Sequence, residues 1–237
     1  MGAAYAARAM WVFPLGAGVV ALFFAGLLVR QWFSRRRPHQ AVWGAALLMY
    51  AVASLALFLG ALEGWSTGEF RVYWLFGAIL NVPYLLLGEV YLLARRRAIA
   101  DGLFVVLLFL TAFAVSVVRT AAIVGTLSKD LPLGKDVFGD GSLAHRLAQY
   151  YAYPAYFLLI AACVWSVRAM RGRPDLRDRF VGTLLIALGA TIAAIGSGVG
   201  AGLDVVPLFS VGLLAGVAVM FWGFLRASRS GARPSGY

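Results

Sequence analysis

Seven long apolar runs, each separated from the next by a polar stretch, set the pattern of this chain. A helix needs about 20 mainly apolar residues to cross the hydrocarbon core of a bilayer. Runs of that length occupy Trp11 to Val29, Ala41 to Leu62, Val72 to Leu93, Gly102 to Thr126, Tyr150 to Val167, Phe180 to Val199 and Val206 to Leu225. Only helices and closed barrels satisfy their backbone groups in lipid, and runs this long exceed a membrane strand. The pattern therefore predicts an all-α polytopic protein. Residues 1–226 form a single seven-helix transmembrane domain, and residues 227–237 form a disordered tail rich in Arg, Ser and Gly.

The polar positions between the runs set the direction of insertion. Arg30 and Arg35 to Arg37 follow the first run, and Arg95 to Arg97 follow the third. Arg168, Arg171, Arg173, Arg177 and Arg179 follow the fifth, and Arg226, Arg229 and Arg233 the seventh, making 15 on one side. The opposite side carries 5: Arg8, Arg71, Lys129, Lys135 and Arg146. Basic loops are retained on the cytoplasmic side, so the N-terminus is predicted outside and the C-terminus in the cytoplasm. Tryptophan prefers the interface, where its ring is buried and its N–H stays wet. Trp11, Trp65 and Trp74 fall at predicted outer ends, while Trp32, Trp43, Trp165 and Trp222 fall near inner ends.

Composition strengthens the class and removes several functions. The chain of 237 residues is 62% hydrophobic and 13% charged, outside the soluble range. Its net charge of +11 sits mostly in short juxtamembrane loops facing anionic lipid, which argues for the bilayer and against nucleic acid as the partner. The first run precedes an Arg-rich loop and lacks a small-residue cleavage pattern, so it is read as a retained helix. The sole cysteine, Cys163, excludes an intramolecular disulfide and a cysteine zinc site.

Catalytic chemistry finds little support. His39 and His145 fall on opposite faces of the membrane, so neither a two-histidine metal centre nor a bis-histidine haem site is expected. HExxH, GxSxG and GxxxxGK[ST] patterns are absent. Retinal would need a Schiff-base lysine in the last helix, whereas Lys129 and Lys135 lie in the longest outer loop. Asp130, Asp136 and Asp140 share that loop, but DVFGDG lacks the ligand spacing of a calcium-binding loop and reads as a solvated turn. No enzyme activity, cofactor or metal is expected.

Ionisable side chains within spans are costly, which makes Glu89 and Arg119 the natural places to look for function. Asn81 precedes Glu89 by two helical turns, offset by about 80°, so both point toward the interior as a polar pocket or proton-binding site. Pro83 between them removes one backbone hydrogen bond and frees the carbonyl of Ile79. The alternative is that Glu89 snorkels to the nearby inner interface. Arg119, placed about 10 Å inside a span ending at Thr126, needs an anion or a carbonyl. Glu63, Glu69 and Asp204 lie at similar depth, and Tyr73, Tyr150, Tyr151 and Tyr153 complete a candidate outward-facing pocket for a small anionic or aromatic ligand. The alternative for Arg119 is a structural ion pair. Asp204 just before Pro207 also fits a helix start.

WGAALLMYAVASLALFLGALEG, FRVYWLFGAILNVPYLLLGEVYLL, RFVGTLLIALGATIAAIGSG and LDVVPLFSVGLLAGVAVMFWGFL, with Asp204 and Pro207, carry a resemblance. In order and pattern they are similar to the seven-helix N-terminal sensor region of bacterial membrane histidine kinases. That resemblance implies a multi-pass sensor in the bacterial inner membrane. It implies no kinase activity here, because this chain ends about a dozen residues after its last span, where that family continues into a cytoplasmic catalytic part. The expected function is a stand-alone sensor-like or interaction protein, with a small-ligand pocket outside and Arg-rich inner loops for a membrane or cytoplasmic protein partner. The alternatives are a small solute or proton-coupled transporter or channel, and an accessory subunit of a membrane complex.

Overall fold

Each apolar run becomes a helix, and most helices extend about a turn into the flanking polar residues. The computed structural model describes residues 12–127, 131–173, 176–200, 203 and 205–229. In order they are α1 Val12–Arg35, α2 Pro38–Glu63, α3 Thr67–Leu93, α4 Arg97–Thr120, the short α5 Gly134–Phe138, α6 Leu143–Met170, α7 Arg177–Gly200 and α8 Val206–Arg229. No strand occurs among the described residues. All but α5 are long and apolar enough to cross a membrane, which makes this an all-α, multi-pass membrane protein with seven candidate spans. Asp204 and residues 230–237 lie outside the described residues, and the start of the predicted tail, 227–229, is helical.

The chain divides by its internal contacts into two compact units, residues 1–158 and 159–237. In the first unit, α1 presents a stripe at helical spacing, Ala17, Ala21, Phe24 and Leu28, all buried against α2. The reversal into α2 is tight: Arg36 takes a positive φ of 51°, Arg37 is extended, and Pro38 opens the next helix where its missing N–H costs nothing. Gly64 ends α2 at φ 95°, a conformation that disfavours any side chain.

Ser66 and Glu69 start α3 with a reciprocal cap. The Ser66 Oγ accepts from the Glu69 backbone at 3.2 Å, and Glu69 Oε2 accepts from the Ser66 backbone N–H at 2.9 Å. Within α3 the segment Trp74–Leu80 winds as a π-helix just before Pro83. The extra residue per turn eases the clash that a proline ring causes with the preceding turn.

The fourth span departs most from the hydropathy pattern. It begins at Arg97 and stops at Thr120, although apolar residues continue through Val124. Beyond Thr120 the chain leaves the helix, and the N–H groups of Val124 and Gly125 both donate to the carbonyl of Val137 at the end of α5.

In the second unit, α7 and α8 pack through glycine. A Cβ on Gly196 would sit 2.8 Å from the Gly212 Cα, and one on Gly189 would sit 2.5 Å from the Gly216 carbonyl oxygen. Small residues let backbones approach closely where lipid offers no hydrophobic drive for association. Asp178 and Arg226 pair at 3.6 Å across the same two helices.

Candidate functional site

One end of the first unit is closed by aromatic packing. Trp74, near the start of α3, stacks on Phe70 at a centroid separation of 5.9 Å and on His145 of α6 at 6.0 Å. Phe138 of α5 packs against both Phe70 and Trp74, and Trp65 lies edge-on to Phe70. The Trp74 Nε1 donates to the carbonyl of Ala144 at 2.9 Å. Gly134 lies flat over the indole, where a Cβ would come within 2.2 Å of the ring. Residues 131–138 thus form a packed cover, with Leu131, Val137 and Phe138 nearly inaccessible, while Asp136 and Asp140 stay exposed and the chain makes the expected solvated turn at Asp140 and Gly141. Apolar side chains hidden between loop carboxylates explain why sequence alone suggested a solvated loop.

Arg71 ties this cover to the spans. Its guanidinium donates to the carbonyls of Arg119 and Ala121, the latter at 2.8 Å, and so caps the C-terminus of α4. This contact accounts for the early end of the fourth span. Arg119 consequently occupies the last turn of its helix rather than a position a third of the way into a span, and its side chain is exposed.

The other residues expected around Arg119 have separate surroundings. Glu63 is exposed at the last position of α2, and Glu69 is engaged in the helix cap with Ser66. Among the described residues no ion pair joins Arg119 to either one. Tyr73 is buried in the aromatic cluster, with Trp65 at 5.5 Å and Phe70 at 6.2 Å. Tyr150 and Tyr153 are exposed along α6, and Asp204 is outside the described residues. Asp140, from the loop, faces the His145 Nε2 at 3.7 Å.

A cavity does form in the first unit, further along the helices. It has a volume of about 360 Å³ and lies between α3, α4 and the first half of α6. Pro83, Leu86, Leu107, Leu110 and Ala155 make its apolar walls, with Tyr150 and Tyr151 beside them. The Tyr151 hydroxyl donates to the Leu110 carbonyl at 3.1 Å, and the Tyr84 and Thr111 hydroxyls meet at 3.1 Å, so polar contacts hold the walls together. Sequence reasoning found Tyr150 and Tyr151 but missed the cavity, because the gap depends on how three helices splay around Pro83.

Asn81 and Glu89 are both buried. The Asn81 Nδ2 donates to the Ala46 carbonyl of α2 at 2.8 Å. One turn on, the Trp43 Nε1 donates to the Leu85 carbonyl at 3.0 Å, and Gly88 makes room for the indole. Glu89 retains 4% exposure, so most of the side chain is covered by its own chain rather than extended from the helix surface. No known protein family, curated protein or solved structure matches this chain.

Proposed function

We propose that this chain is a sensor-like or interaction protein of the cell membrane, and that its ligand is a hydrophobic molecule entering from the bilayer. The groove between α3, α4 and α6 carries this reading: it is apolar, of ligand size, and bordered by tyrosines that orient a single polar end. The neighbouring surface of α4 is apolar as well, with Leu103, Val106 and Leu110 exposed, so an acyl or isoprenoid chain meets no polar barrier on its way in. The arginine distribution supports an N-terminus outside and Arg-rich loops in the cytoplasm, where a protein partner would sense a change in helix packing. To signal, the ligand must bind two helix arrangements unequally, and α4 is the natural moving part because little of it is buried.

A photoreactive fatty acid tests the reading in nanodisc-embedded protein. Crosslinks are expected on peptides from α3, α4 and the start of α6, and Val106→Trp, at a half-exposed groove wall, is expected to abolish them while leaving the melting temperature within a few degrees. Uniform labelling over all lipid-facing helices, unchanged in Val106→Trp, would overturn it.

A further inference from the structure

The described residues 12–158 bury four polar or charged side chains: Gln40, Ser54, Asn81 and Glu89. Asn81 is satisfied by the Ala46 carbonyl. Gln40, 4% exposed, gives its Nε2 to Gln31 Oε1 of α1 at 3.1 Å, which leaves its own Oε1 buried without a partner. Glu89 as a residue is likewise 4% exposed, and among the described residues no hydrogen-bond or ion-pair partner reaches its carboxyl group.

The register of α2 on α3 brings these two groups to one level. Asn81 meets Ala46, and Leu85 meets Trp43. Four residues further along α3 and three back along the antiparallel α2 stand Glu89 and Gln40. At about 1.5 Å per residue the two steps are about 6 Å and 4.5 Å, so the pair stays level. At about 100° per residue, Gln40 turns to the α1 side of the α2–α3 contact, as Gly44 does against Val29. Glu89 turns to that same side, away from Tyr84, Leu87 and Val90, which face α4 and the groove.

Two oxygens of this kind need something between them. Gln40 Oε1 only accepts hydrogen bonds, and a carboxylate only accepts as well. An enclosed charge costs far more than an enclosed neutral acid, whose O–H in turn requires an acceptor. We propose that Glu89 and Gln40 form an internal proton-binding site, in which the Glu89 carboxyl O–H donates to Gln40 Oε1 and Gln40 Nε2 passes the chain on to Gln31. Binding forms one O–H bond on a Glu89 carboxyl oxygen with a proton from water, release breaks it, and no electrons move.

The ionisable side chains around this level belong to several elements. His39 precedes Gln40 on α2 and Arg37 lies just before that helix, and His39 is half-buried against Trp43 at a ring separation of 5.4 Å. Arg30 and Arg35 flank Gln31 on α1 and are exposed. On α4, Arg97 and Asp101 pair at 3.6 Å, with Asp101 also accepting from the Tyr91 hydroxyl of α3 at 2.8 Å. Arg95 and Arg96 follow α3 and are exposed.

Infrared difference spectroscopy of the full chain in nanodiscs, stepped in pH, tests the site. A carbonyl band of a protonated carboxyl group is expected in wild type, absent in Glu89→Gln and shifted in Gln40→Leu. The same titration in sodium and in choline salts is expected to give the same midpoint. The proposal is overturned if no Glu89-dependent band occurs while the chain stays folded, if Gln40→Leu leaves the band unmoved, or if sodium displaces the proton. Should Glu89→Gln fail to fold, Gln40→Leu and isotope-labelled glutamate in wild type decide the matter. The groove plays no part in this outcome, since Glu89 does not line it.

Discussion

The indole Nε1 of Trp74 donates to the backbone carbonyl of Ala144 at 2.9 Å, joining the start of α3 to the start of α6 across 70 residues of sequence. Ala144 is almost fully buried, so its carbonyl has no ready access to water once the indole is gone. Trp74→Phe keeps most of the stacking and loses the bond, and is expected to cost about 1–3 kcal/mol. Trp74→Ala also empties the space between Phe70 and His145 and is expected to cost about 3–5 kcal/mol. Thermal unfolding in detergent measures both. Equal costs for the two variants would show that the hydrogen bond, not the packing, holds the cover.

The Arg71 guanidinium is expected to determine where α4 ends. Arg71→Leu removes the charged donors to the Arg119 and Ala121 carbonyls, a loss of about 1–3 kcal/mol for such bonds. Hydrogen exchange over residues 117–125 is expected to rise at least tenfold, with α1 and α2 unaffected. Protection unchanged in the variant would mean that the cover alone terminates the helix.

Two glycines of α7 provide an internal control for the second unit. A Cβ on Gly196 would lie 2.8 Å from the Gly212 Cα, whereas one on Gly198 would meet nothing within 4 Å. Gly196→Ala is expected to destabilise by about 1–3 kcal/mol through overpacking, and Gly198→Ala to stay within about 0.5 kcal/mol of wild type. The pair is compared by thermal unfolding in one detergent. A similar loss in both would point to backbone freedom in the π-helical turn rather than helix contact.

The spans were legible because apolar length is a local property, whereas Trp65 and Trp74, expected at a wet interface, are buried in the protein, with the Trp74 N–H on the Ala144 carbonyl. The end of α4 was not legible, because its apolar run continues through Ile123 and Val124 while the cap comes from Arg71, 48 residues earlier than the carbonyl of Arg119. The same displacement removed the basis for placing Arg119 deep in the membrane. Asn81 was legible as a buried group from its spacing to Glu89, but its partner is a backbone carbonyl of α2 that no residue type announces. Whether Glu89 snorkelled or stayed inside depended on its enclosure in the fold, which its distance along α3 to Arg95 does not report. Gln40 carries no signal in a hydrophobicity pattern at all, since one glutamine beside an arginine loop looks like a helix end.

Helix α4 spans 24 residues, about 36 Å at 1.5 Å per residue, against a hydrocarbon thickness of about 30 Å. Such an excess is absorbed by tilting or by local thickening of the bilayer, each at a fraction of a kcal/mol per Å. Because only a small share of this helix is buried against its own chain, its angle answers to the surrounding lipid as much as to the protein. The same helix forms one wall of the groove. Bilayer thickness is therefore expected to act on the width of that groove, so that a change of lipid alone, with no soluble signal, would alter the space available beside Tyr150 and Tyr151.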